Sequence, residues 1–314
     1  MYRIGVDIGG MSIKIGVVDF WGKILFSSRV KTVSTAEQNV KNIANEILLL
    51  LKDNGITVSD ISGIGIGCPG LICSETGVVE SNSNLGWNEF PIVSRLKSYF
   101  NVEIKLSNDA NVAALAEVKY GVAKNYKNAI MLTLGTGVGG GIIIDKKLYE
   151  GGYSKGAELG HICIKERGEK CGCGRRGCLE AYASATALIR DTKRAMEKNK
   201  DSLMWKVVEG DIDKVDGRTS FECAKKGDST ANKVVNNFVR YLSEGILSLL
   251  NIFRPEVVII GGGICAQGDY LLDKLRRYCK KYDYGYKNAP KAEIVAAELG
   301  NDAGIIGAAA LIEI

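Results

Sequence analysis

Short apolar runs rich in β-branched residues open the chain and are separated by turns that contain glycine. Residues 2–7, 13–19 and 23–30 each show this pattern, so we predict three strands joined as a meander. Residues 35–54 instead place apolar side chains three or four positions apart, which predicts an amphipathic helix. The chain therefore begins as a small sheet followed by a helix.

The same alternation continues through the rest of the chain and predicts an α/β fold. A second glycine-turn hairpin, with strands at residues 129–134 and 141–145, repeats the construction of the first. We therefore predict two domains: residues 1–120, completed by a C-terminal helix at 301–314, and residues 121–300.

The longest apolar stripe at helical spacing lies between Asp228 and Pro255. Asp228 precedes the stripe as an N-cap, and Pro255 ends it because proline cannot continue a helix. The stripe is predicted to be core or subunit interface rather than a cofactor site.

Composition narrows the class of protein. The chain has 314 residues, of which 46% are hydrophobic and 25% charged, as expected for a soluble globular protein. A strand is predicted from Tyr2 onward, and no apolar run approaches the roughly 18 residues of a membrane span, so we expect a cytoplasmic protein without a membrane partner. Nine cysteines, an odd number, favour a reducing compartment.

The net charge of +5 makes the chain mildly basic. Nucleic-acid binding requires clustered positive charge, whereas the lysines here alternate along the sequence with acids. We therefore expect no nucleic-acid partner and interpret the charge as a solvated surface with some attraction for an anionic substrate such as a nucleotide.

One segment has the composition of a metal site. The only histidine of the sequence precedes three cysteines in the spacing H-x9-C-x-C-x4-C, formed by His161, Cys171, Cys173 and Cys178. One imidazole and three thiolates complete the tetrahedral shell of a structural Zn2+. Incidental cysteines beside a core histidine would fit this density of ligands poorly. Zinc needs neither Glu158 nor Glu180 at the ends of the segment, which suggests that the loop also binds something else.

Glycine turns between strands bring backbone N–H groups close to a bound polyanion. The first turn contains Gly9 and Gly10 and follows Asp7, which is well placed at a strand end to hold a hydrated Mg2+. From this segment alone, an ordinary hairpin turn remains the favoured alternative.

Two further glycine turns follow. Residues 135–140 match the glycine spacing of a dinucleotide-binding loop, but a strand follows the turn where such a loop requires a helix, so NAD binding is excluded. We predict a second phosphate-binding turn at Gly135, Thr136 and Gly137. The glycines at residues 261–263 end a strand before a helix, where they either admit a flat ligand or form a bare turn.

Asp109 follows a predicted strand at residues 102–106 and precedes a helix. The simple interpretation is a helix N-cap, and Asp302 opens the last predicted helix in the same way. The shape of the motif favours the cap. Its position favours ligand binding, because the carboxyl end of a strand in an α/β sheet is the ligand-binding edge.

Taken together, these motifs resemble the ROK family, which comprises sugar kinases and sugar-responsive repressors of the actin/hexokinase superfamily. The resemblance is carried by E-x-G-H at residues 158–161 and C-G-C-G-x-x-G-C-x-E at residues 171–180, and other landmarks agree in order over essentially the whole chain. It implies an actin-like (hexokinase/RNase H-like) α/β fold of two lobes with a cleft between them and a zinc-stabilised loop.

Within the family the chain is most similar to bacterial glucokinases, so the resemblance implies transfer of the γ-phosphoryl group of ATP, with Mg2+, to the C6 hydroxyl of glucose. It assigns Asp109 as the base that accepts the hydroxyl proton. The implied sugar-binding residues are Gly70, Asn84, Asn108, Asp109, Glu158, His161 and Glu180. The implied nucleotide-binding residues are Asp7, Gly9, Gly10, Met11, Ser12, Lys14, Gly135, Thr136, Gly137, Gly261, Gly262 and Gly263.

The chain departs from the family pattern D-x-G-G-T at one position, where Met11 replaces threonine and a side-chain hydroxyl is lost. We expect Ser12 or backbone amides to compensate for that contact.

Two alternatives remain beside glucose phosphorylation. The first is a kinase for another hexose, such as N-acetylmannosamine, mannose or fructose, because these sugars share hydroxyls that the same residues bind. The second is a sugar-responsive regulator or sensor. Two features disfavour it: Asp109 is retained, and a strand is predicted from Tyr2 where a repressor would carry a helix-turn-helix. Family members are commonly dimers or tetramers, so a homodimer or homotetramer is expected.

Overall fold

The structure is a computed structural model that describes residues 1–82, 85–284 and 290–313. Its strands are β1 (Tyr2–Ile8), β2 (Ser12–Val18), β3 (Ile24–Lys31), β4 (Ile61–Cys68), β5 (Leu71–Cys73), β6 (Val78–Asn82), β7 (Trp87–Phe90), β8 (Glu103–Asn108), β9 (Ala129–Leu134), β10 (Val138–Ile144), β11 (Lys147–Tyr149), β12 (Val257–Gly261) and β13 (Glu293–Ala296). Its helices are α1 (Ala36–Asp53), α2 (Ile92–Lys97), α3 (Asp109–Lys119), α4 (Glu180–Ala183), α5 (Ala185–Lys198), α6 (Met204–Val207), α7 (Thr219–Lys225), α8 (Ser229–Phe253), α9 (Asp269–Tyr282) and α10 (Ala303–Ala309).

The described residues form two compact units. Unit 1 consists of residues 1–131 and 141–157 together with the segment from 298 onward, and unit 2 consists of residues 132–140 and 158–297. The domain boundary that the sequence predicts near residue 120 stays a prediction.

Unit 1 contains a sheet with the strand order β3-β2-β1-β4-β8. The first three strands form the antiparallel meander that their sequence predicts, whereas β4 and β8 run parallel to β1. Apolar side chains of β1 and β4 are fully buried in one core with the inner face of α1, including Ile4, Ile64, Ile43 and Ile47. This burial explains why α1 has apolar residues at helical spacing.

The parallel strands of unit 1 end at the same edge of the sheet. The register pairs Asp7 of β1 with Gly67 of β4, and Cys68 of β4 with Asn108 of β8. Polar groups that follow these strands are therefore brought to one place, as in other α/β sheets.

The C-terminal helix α10 packs on β1 and β4 at positions where only glycine fits. A Cβ atom added to Gly65 would lie 1.7 Å from the carbonyl oxygen of Ala308, and one added to Gly5 would lie 2.0 Å from that of Ile305. The last helix therefore belongs to the core of unit 1.

Asp302 occupies the N-cap position of this helix, as the sequence predicts, but its side chain does not cap the helix. Asp302 has helical backbone angles, φ −91° and ψ −13°, and its side chain makes no capping hydrogen bond. The reason is local, because Gly300–Asp302 forms a 3-10 turn that continues directly into α10.

A second five-stranded sheet has the order β11-β10-β9-β12-β13, in which β10 and β11 are antiparallel and β12 and β13 parallel. Strands β5, β6 and β7 form a small antiparallel sheet in unit 1.

The longest helix, α8, begins and ends where the sequence predicts. The Asp228 carboxylate accepts a hydrogen bond from the Ala231 N–H at 2.7 Å, and the helix ends at Arg254, whose backbone is left-handed, before Pro255. Its apolar stripe, which includes Val235, Phe238 and Leu242, is buried in unit 2. None of the described helices combines the length and the apolar character needed to cross a membrane.

Candidate functional site

The four predicted metal ligands come together in unit 2. The ligand atoms of His161, Cys171, Cys173 and Cys178 all lie within 4.8 Å of one another. His161 Nδ1 is 3.7 Å from Cys171 Sγ, and the sulfur atoms of Cys173 and Cys178 are also 3.7 Å apart. Ligand atoms around a tetrahedral Zn2+ would be separated by roughly 3.5 to 3.8 Å, so the donor set and its spacing fit a structural zinc ion.

The loop that carries these ligands is shaped by backbone contacts. Cys163 and Cys178 form an isolated β-bridge, and the Cys171 N–H donates to the carbonyl of Arg175 at 2.9 Å. Gly177, with φ +84°, allows the backbone to pass close to Lys165, because a Cβ at residue 177 would lie 1.9 Å from the Lys165 carbonyl oxygen. Burial raises the pKa of the Cys171 thiol to about 12, so a metal ion must displace its proton on binding.

Glu180, at the start of α4, links this metal cluster to the glycine turn between β9 and β10. One carboxylate oxygen accepts a hydrogen bond from the Val138 N–H at 3.1 Å, and the other lies 3.4 Å from Cys171 Sγ, which donates to it. A Cβ at Gly137 would lie 2.3 Å from the first oxygen. Glycine at this position therefore allows the carboxylate to lie directly on the turn.

Glu158 and His161 flank a glycine that packs against the residue following the same turn. The Gly160 between them packs on β10, where an added Cβ would lie 2.0 Å from the Val138 carbonyl oxygen. Burial is the main cause that raises the pKa of Glu158, and the neighbouring Glu180 raises it further while His161 lowers it. Unit 2 thus brings together the three sugar-binding residues that the sequence predicts in it.

The two predicted glycine turns of unit 2 also meet. Gly262, with φ +84°, lies against the end of β9, because a Cβ there would be 2.4 Å from the Leu134 carbonyl oxygen. The Gly135 N–H donates to the Gly137 carbonyl at 3.0 Å, and the Thr186 hydroxyl of α5 donates to the Thr136 carbonyl at 2.8 Å. The turn at 135–137 and the turn at 261–263 are therefore neighbours, although about 125 residues separate them in the sequence.

The first glycine turn, between β1 and β2, is held inside unit 1. The Gly9 N–H donates to the Ser12 carbonyl at 3.0 Å, and the Thr32 hydroxyl donates to the Gly9 carbonyl at 2.7 Å. The Met11 side chain is 89% exposed, so it takes no part in holding the turn. A Cβ atom added to Gly10 would meet no other atom within 4 Å. Thr32 was not identified from the sequence, because a threonine after a strand has no distinctive pattern.

Asp7 lies at the end of β1 beside this turn. Its carboxylate forms an ion pair with Lys14 Nζ at 3.0 Å, and the same ammonium group donates to the Asn301 carbonyl at 3.2 Å. A Cβ at Gly304 of α10 would lie 2.5 Å from the Asp7 carboxyl carbon. The last helix thus closes one side of the turn and positions the carboxylate.

Asn108 and Asp109 lie where β8 becomes α3. The N-cap of α3 is Asn108, whose side-chain oxygen accepts from the Ala110 N–H at 2.9 Å, while Asp109 is the first helical residue. The interpretation of Asp109 as the cap is therefore wrong, because the residue before it supplies the capping oxygen. The Asn108 side-chain amide also donates to the Gly70 carbonyl at 3.2 Å. Burial, and next the Asp109 carboxylate, raise the pKa of Cys68.

Three further residues, which were missed from the sequence, support the Asn108–Asp109 pair. The hydroxyl of Ser107, a fully buried residue, donates to a Glu150 carboxylate oxygen at 2.6 Å, and the Ser74 hydroxyl donates to the other oxygen at 2.8 Å. Glu150 is 43 residues from Ser107, so no local pattern connects them.

The predicted sugar ligand Asn84 lies outside the described residues. Asn82 is buried, and its side-chain oxygen accepts a hydrogen bond from the Leu85 N–H at 3.0 Å. Gly70, with φ +104°, packs against the same segment, since a Cβ there would lie 2.4 Å from the Ser81 carbonyl oxygen. Gly70 is therefore a neighbour of Ser81 and Asn82 in unit 1.

Comparison with known proteins identifies the class. Residues 3–314 match the ROK family. The chain is 38% identical to a glucokinase of Thermotoga maritima, over 99% of this chain and 96% of the relative, and 37% identical to a glucokinase of Streptomyces coelicolor, over 98% and 96%. The crystal structure of a ROK family glucokinase from Streptomyces griseus in complex with glucose and AMPPNP superposes with a TM-score of 0.83 at 34% identity, covering 99% of both chains.

The fold is thus the actin-like α/β fold of ROK sugar kinases. The chain belongs to the ROK family, and the prediction made from its motifs is confirmed.

Proposed function

We propose that the protein is an ATP-dependent kinase that phosphorylates glucose at the C6 hydroxyl. The observation that carries this proposal is the likeness to the Streptomyces griseus glucokinase, which extends over nearly the full length of both chains. The curated glucokinases, matched over nearly their whole length, support the same substrate and reaction.

Asp109 is the proposed base. It would accept the proton of the C6 hydroxyl as the hydroxyl oxygen attacks the γ-phosphorus of ATP, with ADP as the leaving group. Asn108, held by its bonds to Gly70 and Ala110, would orient the sugar. The contacts of Ser107 with Glu150 would keep this strand end in position.

The other proposed sugar ligands are Gly70, Asn84, Glu158, His161 and Glu180. His161 directs Nδ1 toward Cys171, so Nε2 remains for a hydrogen bond to a sugar hydroxyl. A bound zinc ion would supply no chemistry to the reacting atoms. Its contribution would be to fix the loop that carries these side chains.

ATP is the proposed second substrate. Its phosphates would contact the amide groups of the two glycine turns, at residues 9–12 and 135–137, together with Lys14, and its adenosine part would lie at residues 261–263. The oxygen donors of Asp7, which lies at a strand end beside the first turn, suit the coordination of Mg2+. A Mg2+ ion there would neutralise phosphate charge.

The test of the substrate is ADP release by the purified protein with ATP and Mg2+, over glucose, mannose, fructose, N-acetylglucosamine and N-acetylmannosamine. Strong turnover on glucose alone is the expected result. Turnover on another hexose alone would retain the kinase and replace the substrate. Glucose binding without turnover on any sugar would contradict the kinase and support a sensor.

Asp109→Asn tests the base directly. We expect kcat to fall by about 10³-fold or more while glucose affinity changes little, because only proton transfer is lost. Asp269→Asn is a matched control, since Asp269 is also the first residue of a helix and is exposed. A variant with the Asp109 substitution that loses glucose binding to the same degree as turnover would refute the assigned role.

We also propose a homodimer or homotetramer in the cytoplasm without a nucleic-acid partner, as the family resemblance and the composition suggest. Light scattering coupled to size-exclusion chromatography gives the oligomeric state, and a monomer at micromolar concentration would contradict the first part of this proposal.

A further inference from the structure

A groove of about 990 Å³ lies on unit 2, between the metal loop and helices α5 and α8. Seven lysine and arginine side chains and two carboxylates line it, which gives an excess of five positive charges. The formal net charge of the whole chain is also +5, so the remaining charges of the protein balance one another. The lining includes none of the residues proposed to bind sugar, nucleotide or zinc.

Helix α5 forms one wall with a stripe of positive charge. Arg190, Arg194 and Lys198 follow one another at intervals of four residues, which places them on one face of the helix. Like charges at this spacing destabilise a helix in the absence of a compensating anion. Acidic side chains of the protein neutralise only part of this positive charge. Arg190 pairs with Asp191 and Arg194 with Glu169, whereas Lys198 has no ion pair among the described residues.

The two arginines are held in defined positions. Arg190 donates to both Asp191 oxygens and, at 3.0 Å, to the Ala181 carbonyl, while Arg194 donates to Glu169 at 2.6 Å. Guanidinium groups fixed in this way are already oriented for a ligand, so little side-chain entropy is lost when a ligand binds.

Helix α8 and the metal loop supply the facing walls. Lys233 and Asn237 lie one turn apart on α8 and are exposed, and within the described chain Lys233 makes no hydrogen bond or ion pair. Lys165 of the metal loop has its ammonium group 5.7 Å above the ring of Tyr241 and 3.3 Å from its hydroxyl. Cationic and neutral donors therefore converge on one concave surface from three segments.

We propose that this groove binds a small molecule that carries several phosphate groups. Lysine and arginine donors form charge-assisted hydrogen bonds with phosphate oxygens, and the volume lies in the range of small-molecule sites. The stripe on α5 covers roughly 12 Å along the helix axis, which exceeds one phosphate. The limited size favours a small molecule over a nucleic-acid backbone, which requires an extended basic surface.

The test uses tripolyphosphate as the probe, titrated calorimetrically into the full-length protein at low ionic strength without Mg2+. The paired variant Lys198→Gln/Lys233→Gln is expected to weaken binding by about tenfold or more, because two charge-assisted contacts are lost. The control pair Lys226→Gln/Lys281→Gln removes the same charge from exposed lysines outside the groove and should change affinity by less than about twofold. Circular dichroism and thermal unfolding verify that both variants fold.

Several outcomes would overturn the proposal. Unchanged affinity in the groove variant would show that the probe binds elsewhere, for example at the nucleotide site, and equal weakening in both variants would show a general effect of charge. Orthophosphate is expected to bind at least about tenfold more weakly than tripolyphosphate, since it has a single phosphate. A hexaglutamate peptide that binds as tightly as tripolyphosphate would assign the groove to acidic peptides instead. None of these results depends on kinase activity.

Discussion

Each of the two hairpins has a glycine turn after its first strand, at residues 9–12 in unit 1 and at residues 135–137 in unit 2. The two turns have the same construction, but different residues hold them in place. The turn of unit 1 is held by its own sheet, through the bond from Gly9 to Ser12 and the Thr32 hydroxyl 23 residues away. The turn of unit 2 is held by Glu180, which is 42 residues from Val138 and follows the metal ligand Cys178 by only two residues.

This difference separates two ways of fixing a phosphate-binding turn. A turn closed by its neighbouring strands depends only on the sheet, whereas a turn held by a distant carboxylate depends on the loop that positions the carboxylate. We therefore expect changes in the metal loop to reach the turn at residues 135–137 and to leave the turn at residues 9–12 unaffected.

Removal of zinc should produce the largest effect. Metal binding contributes about 10–16 kcal/mol in small zinc peptides, so its loss from this loop should lower the thermal stability and reduce glucose affinity by at least about tenfold. Hydrogen exchange followed by mass spectrometry after chelation, or in Cys178→Ser, should show faster exchange near Val138 and unchanged exchange near Gly9.

The matched control is Cys163→Ser in the same loop. Cys163 is exposed and lies outside the group of four ligands, so this variant should retain one zinc ion per chain by elemental analysis. Complete loss of zinc without any change in exchange at Val138 would show that Glu180 does not transmit the effect.

A glycine-to-alanine substitution in each turn compares how much space the two turns leave for a side chain. Gly137→Ala places a Cβ 2.3 Å from the Glu180 carboxylate and should lower the free energy of unfolding by about 1–3 kcal/mol. Gly10→Ala meets nothing within 4 Å and should change it by less than about 0.5 kcal/mol. Neither glycine has a positive φ, so backbone strain does not complicate the pair. Urea denaturation measures both values, and equal losses would contradict the proposed difference.

Single hydroxyl anchors should have the smallest effect. Thr32→Val removes the hydrogen bond to the Gly9 carbonyl and should cost about 1 kcal/mol, while Thr186→Val removes the more exposed bond to the Thr136 carbonyl and should cost about 0.5 kcal/mol. A larger loss in Thr186→Val, measured by the same denaturation, would mean that α5 rather than Glu180 is the main anchor of the second turn.

Local patterns predicted much of the fold and part of the site. The opening strands, helix α8 with its Asp228 cap, and the metal cluster follow from spacings of a few residues, because strands, caps and tight metal loops are made by neighbours in the sequence. The roles of the two aspartates at helix starts are also decided locally: Asn108 supplies the capping oxygen before Asp109, and Asp302 occupies the N-cap position without a side-chain cap because a 3-10 turn continues directly into α10.

The sequence by itself determined the α/β alternation, the ligand set for zinc and the motifs of the ROK family, since each depends on residues close together in the chain. Only the tertiary structure brought Glu180 to Val138 and Glu150 to Ser107, over separations of more than 40 residues. Only it gathered lysines and arginines that alternate with acids in the sequence into one basic groove. The physical reason is that packing between distant elements decides which surface side chains become neighbours, and no local periodicity encodes that packing.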